Sequence, residues 1–230
     1  MTGPAPLAPW WRAADGAIGL WLAPVAELLA AEADPEVALP EAERAHCRHY
    51  RHPEARRRAL AVRLLAHRAL AGLDSGRSWS IAHRAGGQPH LPDSTLAISL
   101  AHSDEWVACA LGRVAALGVD LEAIRPRPRL LAFARRFYSA IEVAGLEALS
   151  GAEQLAAFHD IWTLREAWLK ARGLGLADYR RAPCTREALA GRVPGWEWRR
   201  LIVVPGYRLA LCWQRDASPQ AETSLRSAVA

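Results

Sequence analysis

The chain has no stretch approaching twenty uninterrupted apolar residues, so no membrane-spanning helix is expected. The start, with Pro4, Pro6, Pro9, Trp10, Trp11 and Arg12, lacks the basic lead and apolar centre of a secretion signal, and a soluble cytoplasmic protein is expected. The four cysteines, Cys47, Cys109, Cys184 and Cys212, form no Cys-x-x-Cys pair, and Cys109 and Cys212 lie inside apolar strand-like runs, which argues for reduced, mostly buried thiols over a disulfide. Lysine is almost missing: Lys170 stands alone against 28 arginines. That bias makes Lys170 a position where a compact ammonium is preferred to a planar guanidinium.

What is present is a chain of 230 residues, 51% hydrophobic, with a net charge of +5. This is enough for one large domain or two small ones with real cores, and disorder is excluded as a class. Ala17 to Leu22 reads as a strand, and Glu41 onward as helical. A long helix is expected from Pro53, a suitable first helical position, to Gly72. Trp79 to Ala82 and Thr95 to Leu100 read as strands, and Trp106 to Leu111 is expected to form a hairpin with Ala115 to Leu121 through Gly112 and Arg113.

After a Pro-rich link at 125–128, two capping boxes, Ser139 with Glu142 and Ser150 with Glu153, announce helices, the second ending at Gly173. Trp196 to Val204 and Tyr207 to Trp213 read as a closing hairpin. Each half thus carries a long helix followed by strand pairs, a faint internal duplication. The tail at 218–230 reads as disordered.

Chemistry concentrates in two places. In Gly118-Val119-Asp120-Leu121-Glu122, the strand period of two sends both acids to one face and Val119 and Leu121 to the other. Glu166 lies on a helix with Trp162 one turn before and Lys170 one turn after. If that helix packs over the strand, three carboxylates converge. Each pair about 4 Å apart would repel by roughly 4 kcal/mol at an effective dielectric near 20, which calls for a cation between them. An all-oxygen ligand set of this kind suits Mg²⁺ carrying a substrate phosphate.

Gly-x-Asp-x-Glu followed some forty residues later by Trp162, Arg165, Glu166, Ala167 and Lys170 resembles the signature of the 4′-phosphopantetheinyl transferases, in their two-domain, Sfp-type branch. Arg165 stands where that pattern has lysine, in keeping with the arginine bias. Gly87-Gln88-Pro89, Ser99 to Ser103, and Arg136 to Ser139 with Glu142 resemble further family segments, so the resemblance runs from about Glu41 to about Leu176.

The resemblance implies an α+β fold of two similar halves related by a pseudo-twofold, with the active site in the cleft between them. The halves are expected at 1–118 and 119–217. It implies Mg²⁺-dependent transfer of 4′-phosphopantetheine from coenzyme A to a serine of an apo acyl or peptidyl carrier protein, releasing adenosine 3′,5′-bisphosphate. Asp120, Glu122 and Glu166 would hold the metal, with Glu166 also the candidate base.

On the same resemblance, Lys170 would reach the phosphates, against the plainer alternative of an i,i+4 pair with Glu166. His102 would donate to a phosphate oxygen, and Arg58 would contact the 3′-phosphate. Gly87 and Pro89 would shape the nucleotide loop. Gln88 replaces a family lysine and Ala101 a serine, which leaves open a member that only binds carrier proteins.

A monomer that binds neither nucleic acid nor membrane is expected. The arginine-rich helical region (Arg44, Arg48, Arg51, Arg56, Arg57, Arg58, Arg63) keeps nucleic-acid binding as a rival reading. Arg56 and Arg57 otherwise read as a solvated face, Trp162 as core, and His46, His49 and His52 as no metal site, since no second ligand cluster accompanies them.

Overall fold

The structure, a computed structural model, describes residues 7–214. The expected disordered tail at 218–230 lies outside the described residues. The first half contains β1 (Trp11–Arg12), β2 (Ile18–Pro24), α1 (Val25–Ala30), α2 (Glu41–Arg48), α3 (Pro53–Leu73), β3 (Ala82–His83), β4 (Pro89–His90), β5 (Ala97–Ser103) and β6 (Trp106–Gly112). The second contains β7 (Ala116–Ala123), α4 (Leu130–Phe137), α5 (Ala140–Glu147), α6 (Gly151–Arg172), a 3₁₀ turn (Leu176–Arg181), α7 (Thr185–Leu189), β8 (Trp196–Leu201) and β9 (Tyr207–Gln214).

Both halves share one connectivity. A strand leads through a long helix to a hairpin whose second strand inserts in the middle, giving sheet orders β2-β6-β5 and β7-β9-β8, with β1 added outside β2. The fold is α+β, and the repeat that the sequence echoed faintly is a repeat of topology. The crossing from the first sheet to the second falls between Gly112 and Ala116.

Strand alternation sets the layers. On β6, Val107, Cys109 and Leu111 pack on Ala61, Leu65 and Ala69 of α3. The intervening Ala108 and Ala110 face the second sheet, where they meet Val119, Leu121, Leu209 and Leu211. Beyond that sheet, Ala210, Cys212 and Trp198 pack on Leu164, Ala167 and Trp168 of α6. The result is helix, sheet, sheet, helix, and the β7 residues alternate with Leu117, Val119 and Leu121 between the sheets and Gly118, Asp120 and Glu122 toward α6.

Two local expectations hold: Pro53 opens α3, and Ser139 with Glu142 forms a complete capping box. Two do not. β6 forms no hairpin with β7. Its edges are taken by β2 and β5, and β7 pairs with β9. β5 and β7 instead meet through serine hydroxyls, Val119 N donating to Ser99 Oγ at 3.0 Å and Ala123 N to Ser103 Oγ at 3.0 Å. Ser150 makes no side-chain cap, and Gly151 after it turns left-handed at φ 55°. The strand expected at 79–82 is reduced to the two-residue β3. All four cysteines are free, with Cys47, Cys109 and Cys212 buried. Among the described residues no helix is long and apolar enough to cross a membrane.

Candidate active site

Gly118 allows α6 to lie directly on β7. A Cβ there would sit 1.8 Å from the Ala167 carbonyl oxygen and 2.7 Å from Ala171 N, so only glycine permits this approach. That contact brings Glu166 and Lys170 of α6 over Asp120 and Glu122. Asp120 is 5% exposed. Burial pushes its carboxyl up to about 6, with Glu122 adding to the shift and Lys170 opposing it.

Burial, together with the charges of Asp120 and Glu122, pushes Glu166 up to about 7. Glu122 is raised by burial too, against hydrogen bonds from Trp162 and Ser103. Three acids share one space, Glu122 raising the proton affinity of Asp120, and both raising that of Glu166. Two of their buried oxygens, Asp120 Oδ2 and Glu166 Oε1, have no hydrogen-bond partner.

The positive charge in this space comes from Lys170. Its Nζ is 2.8 Å from Asp120 Oδ1 and 3.5 Å from the Leu100 carbonyl oxygen. This corrects the plainer of the two alternatives weighed from sequence. The ammonium forms no ion pair with Glu166, although the two are one turn apart, and bridges to β7 instead. Among the described residues no three acid, histidine or cysteine side chains are gathered tightly enough to form a ready metal shell. The donor set nonetheless fits a hard divalent ion: all-carboxylate, mutually repelling, with two buried oxygens unpartnered.

Glu122 is held by two neighbours. Trp162 Nε1 donates to Oε1 at 3.1 Å and Ser103 Oγ to Oε2 at 3.3 Å. Trp162 is therefore more than the core wedge expected. It stacks on Tyr179 with ring centroids 5.1 Å apart, carries the Arg127 guanidinium over its ring, and turns its one polar atom to a site carboxylate. The signal available in the sequence was its place one helical turn before Glu166.

The first half adds His102 and Arg58. His102 reaches solvent from the end of β5, yet the crowded wall around its ring and the charges of Lys170, Arg58 and Arg63 push it down to about 4, so it is a neutral imidazole at physiological pH. The half-buried Arg58 on α3 is close enough to contribute to that shift. The β3–β4 turn is closed by Gly87, at φ 82°, donating to the Arg84 carbonyl at 2.8 Å.

On either side of this turn lie cavities of about 200 Å³, bordered by Lys170, Ser99 and Leu174, and about 340 Å³, bordered by Arg63, His83 and His102; both touch Gly87, Pro89 and Leu100. A larger cavity of about 420 Å³, near Arg12, Arg77 and Trp79, touches none of these residues.

Gln88 does not present its side chain as a phosphate contact. Its Nε2 donates to the Lys170 carbonyl oxygen at 2.9 Å, so the amide caps the end of α6 and ties the β3–β4 turn to the second half. Arg165, read as part of the general arginine bias, is 3% exposed and ion-paired with Glu142. Arg56 and Arg57 are ion-paired with Glu36 and Glu54, and Arg63 is buried, which removes much of the basic helix face that nucleic-acid binding would need. His46 stacks on His83 with centroids 4.2 Å apart and takes no part in any metal cluster among the described residues.

The chain belongs to the 4′-phosphopantetheinyl transferase superfamily, a family of transferases. The family model matches residues 116–212, which run from β7 through α6 to β9. A 4′-phosphopantetheinyl transferase of Bacillus subtilis is 31% identical over 156 residues, covering 65% of this chain and 67% of the relative. HetI of Nostoc sp. PCC 7120, a 4′-phosphopantetheinyl transferase, is 29% identical over 196 residues, covering 80% of this chain and 82% of HetI. AcpT of Salmonella typhi, also named a 4′-phosphopantetheinyl transferase, is 38% identical over 124 residues, 53% of this chain and 62% of AcpT.

Proposed function

We propose that this protein transfers the 4′-phosphopantetheine group of coenzyme A to a serine hydroxyl of an apo acyl or peptidyl carrier protein, as an Sfp-type member acting as a monomer, with its two halves about a pseudo-twofold and the reaction in the cleft between them. The observation that carries this reading is the gathering of the buried Asp120 with the half-buried Glu122 and Glu166, with Lys170 ion-paired to Asp120 and with Lys170 and Arg58 both acting on the neutral His102. A polyanionic diphosphate needs the cations, and the carboxylates need a metal to lie beside it.

Asp120, Glu122 and Glu166 would hold Mg²⁺, which when bound neutralises the diphosphate and supplies Lewis acidity. The serine oxygen attacks the β-phosphorus, the bond from that phosphorus to the adenosine 3′,5′-bisphosphate leaving group breaks, and the serine proton passes to a base. Glu166, whose Oε1 is buried and accepts no hydrogen bond, is the candidate for that role. Lys170, released from Asp120, is placed to meet the phosphates as a point charge.

His102, being neutral, would offer a ring N–H to a phosphate oxygen. Arg58 would take the 3′-phosphate, and Gly87 with Pro89 would shape the nucleotide wall. Gln88 acts through the turn it anchors. Most of the rate then comes from positioning and charge stabilisation.

The test is incubation of purified protein with coenzyme A, Mg²⁺ and a panel of apo-carrier proteins, with intact carriers weighed by mass spectrometry with and without chelator. A phosphopantetheine-sized gain that requires the metal is expected. Coenzyme A binding without a gain on any carrier would favour a member that only binds carriers, and no coenzyme A binding would refute the assignment.

A further inference from the structure

Arg165 and Glu142 form the most enclosed ion pair of the second half, their residues 3% and 2% exposed, and neither faces the cleft chemistry. Arg165 Nη2 donates to Glu142 Oε2 at 2.6 Å. The same oxygen accepts from Ser139 N and Ser139 Oγ, both at 2.8 Å, at the start of α5. The other oxygen accepts from Thr185 N at 2.7 Å and Thr185 Oγ1 at 2.8 Å, at the start of α7.

Arg165 Nη1 lies 3.3 Å from the Phe137 carbonyl oxygen, where α4 ends, and 3.4 Å from that of Tyr179 in the 3₁₀ turn. The rings of Tyr138 and Tyr179 both lie against the guanidinium, with centroids 5.1 and 5.7 Å from its carbon. One carboxylate and one guanidinium therefore bind α4, α5, the 3₁₀ turn and α7 to α6. The charge is kept in place: burial pushes Glu142 up, but Arg165 and the N–H groups of Thr185 and Ser139 outweigh it and hold its carboxyl below the usual range.

The node sits one residue before Glu166. Successive side chains of a helix point about 100° apart, so locking Arg165 on the far side of α6 fixes the direction of Glu166. Gly118 sets how closely α6 approaches β7. Resting on the transferase reading above, we propose that Arg165 and Glu142 are positioning residues whose buried pair sets the rotation and axial position of α6, and thereby aims Glu166 at Asp120 and Glu122.

The test compares the wild-type protein with Arg165→Met, Arg165→Lys and Glu142→Asp in steady-state kinetics, Mn²⁺ affinity by electron paramagnetic resonance, and thermal melting. In Arg165→Met, well below its melting temperature, kcat is expected to fall by about 100-fold, the loss expected for a reacting group misplaced by about 1 Å. Mn²⁺ binding weakens with it, and KM for coenzyme A stays within about twofold of wild type because Arg58 and His102 are untouched. Arg165→Lys, which keeps the charge, should restore most of both. If Arg165→Met does not fold, Glu142→Asp carries the test: it keeps every charge but withdraws the carboxylate by one carbon, and kcat and Mn²⁺ affinity should fall together.

Folded variants with wild-type kcat and Mn²⁺ affinity, altered only in melting temperature, would show a purely structural pair and overturn the proposal. A wild-type protein that binds Mn²⁺ but transfers nothing would count against the transferase reading alone, with the variants' Mn²⁺ affinities still deciding the positioning role. A wild-type protein that binds no Mn²⁺ would overturn both.

Discussion

Glu166→Gln should make the metal-free protein more stable while removing its activity. A carboxyl whose pKa rises from 4.5 in the unfolded chain to about 7 in the fold holds its proton more tightly when folded. Its contribution to stability is full below pH 4.5 and is lost as pH rises through 7, so above that the ionised side chain opposes folding. Each tenfold change in proton affinity is about 1.4 kcal/mol, which puts the cost near 3 kcal/mol, and partial contact of Glu166 with water reduces it to about 2 kcal/mol.

Glutamine has the same shape and no charge to desolvate. For a chain of this length about 2 kcal/mol corresponds to roughly 4–8 °C in melting temperature. The assay is thermal melting of both proteins in chelator at pH 5 and pH 8, repeated with excess Mg²⁺. The variant should melt higher than wild type at pH 8, the gap should shrink at pH 5, and Mg²⁺ should raise the wild type alone, since the ion binds only where its ligands remain. A variant no more stable than wild type at pH 8, or one whose advantage is equal at both pH values, would refute the reasoning.

Gly118→Ala forces the Ala167 carbonyl away from a Cβ that would otherwise lie 1.8 Å from it, and because backbone is the obstacle the whole of α6 must move. A fall in stability of about 3 kcal/mol, together with a loss of kcat of about 100-fold, should appear in denaturant melts and turnover assays; a wild-type-like Gly118→Ala protein would contradict the close contact. Trp162→Phe keeps the stacking on Tyr179 but removes the N–H that reaches Glu122. Stability should change by about 1 kcal/mol, whereas Mn²⁺ affinity, read by electron paramagnetic resonance, should fall by about tenfold. An unchanged affinity would reduce Trp162 to the core residue its burial alone suggests.

The parts of this protein legible in its sequence are those governed by short periods. Alternation along 116–123 correctly separated Gly118, Asp120 and Glu122 from Val119 and Leu121, and the helical spacing of Trp162, Glu166 and Lys170 placed all three at the cleft. What misled was long-range pairing. Gly112 and Arg113 look like a hairpin turn, but whether β6 can accept β7 depends on β2, some ninety residues earlier, which already occupies one edge of it.

The Glu142 capping box was visible because its partners are three residues apart. The ion pair that dominates the same carboxylate spans 23 residues and leaves no local trace. Gln88, read as a missing phosphate contact, is an 82-residue contact to the end of α6. In each case the residue type was noticed, and its partner was not.

The lone lysine shows how the cleft reconciles two demands. Without a metal ion, Asp120 and Glu166 need a nearby cation, and the Lys170 ammonium satisfies one carboxylate oxygen at 2.8 Å while leaving Asp120 Oδ2 and Glu166 Oε1 free. A guanidinium at the same place would engage the carboxylate with two parallel bonds and a rigid plane, a grip suited to the buried Arg165–Glu142 node and ill suited to a ligand that must be given up. An ammonium on a flexible stem makes a single bond, exchanges it readily, and carries its charge on to an incoming phosphate. The two basic residues of this motif thus do opposite work on one helix: Arg165 is sealed in to hold α6 still, and Lys170 is left one third exposed at the cleft wall, able to change partners.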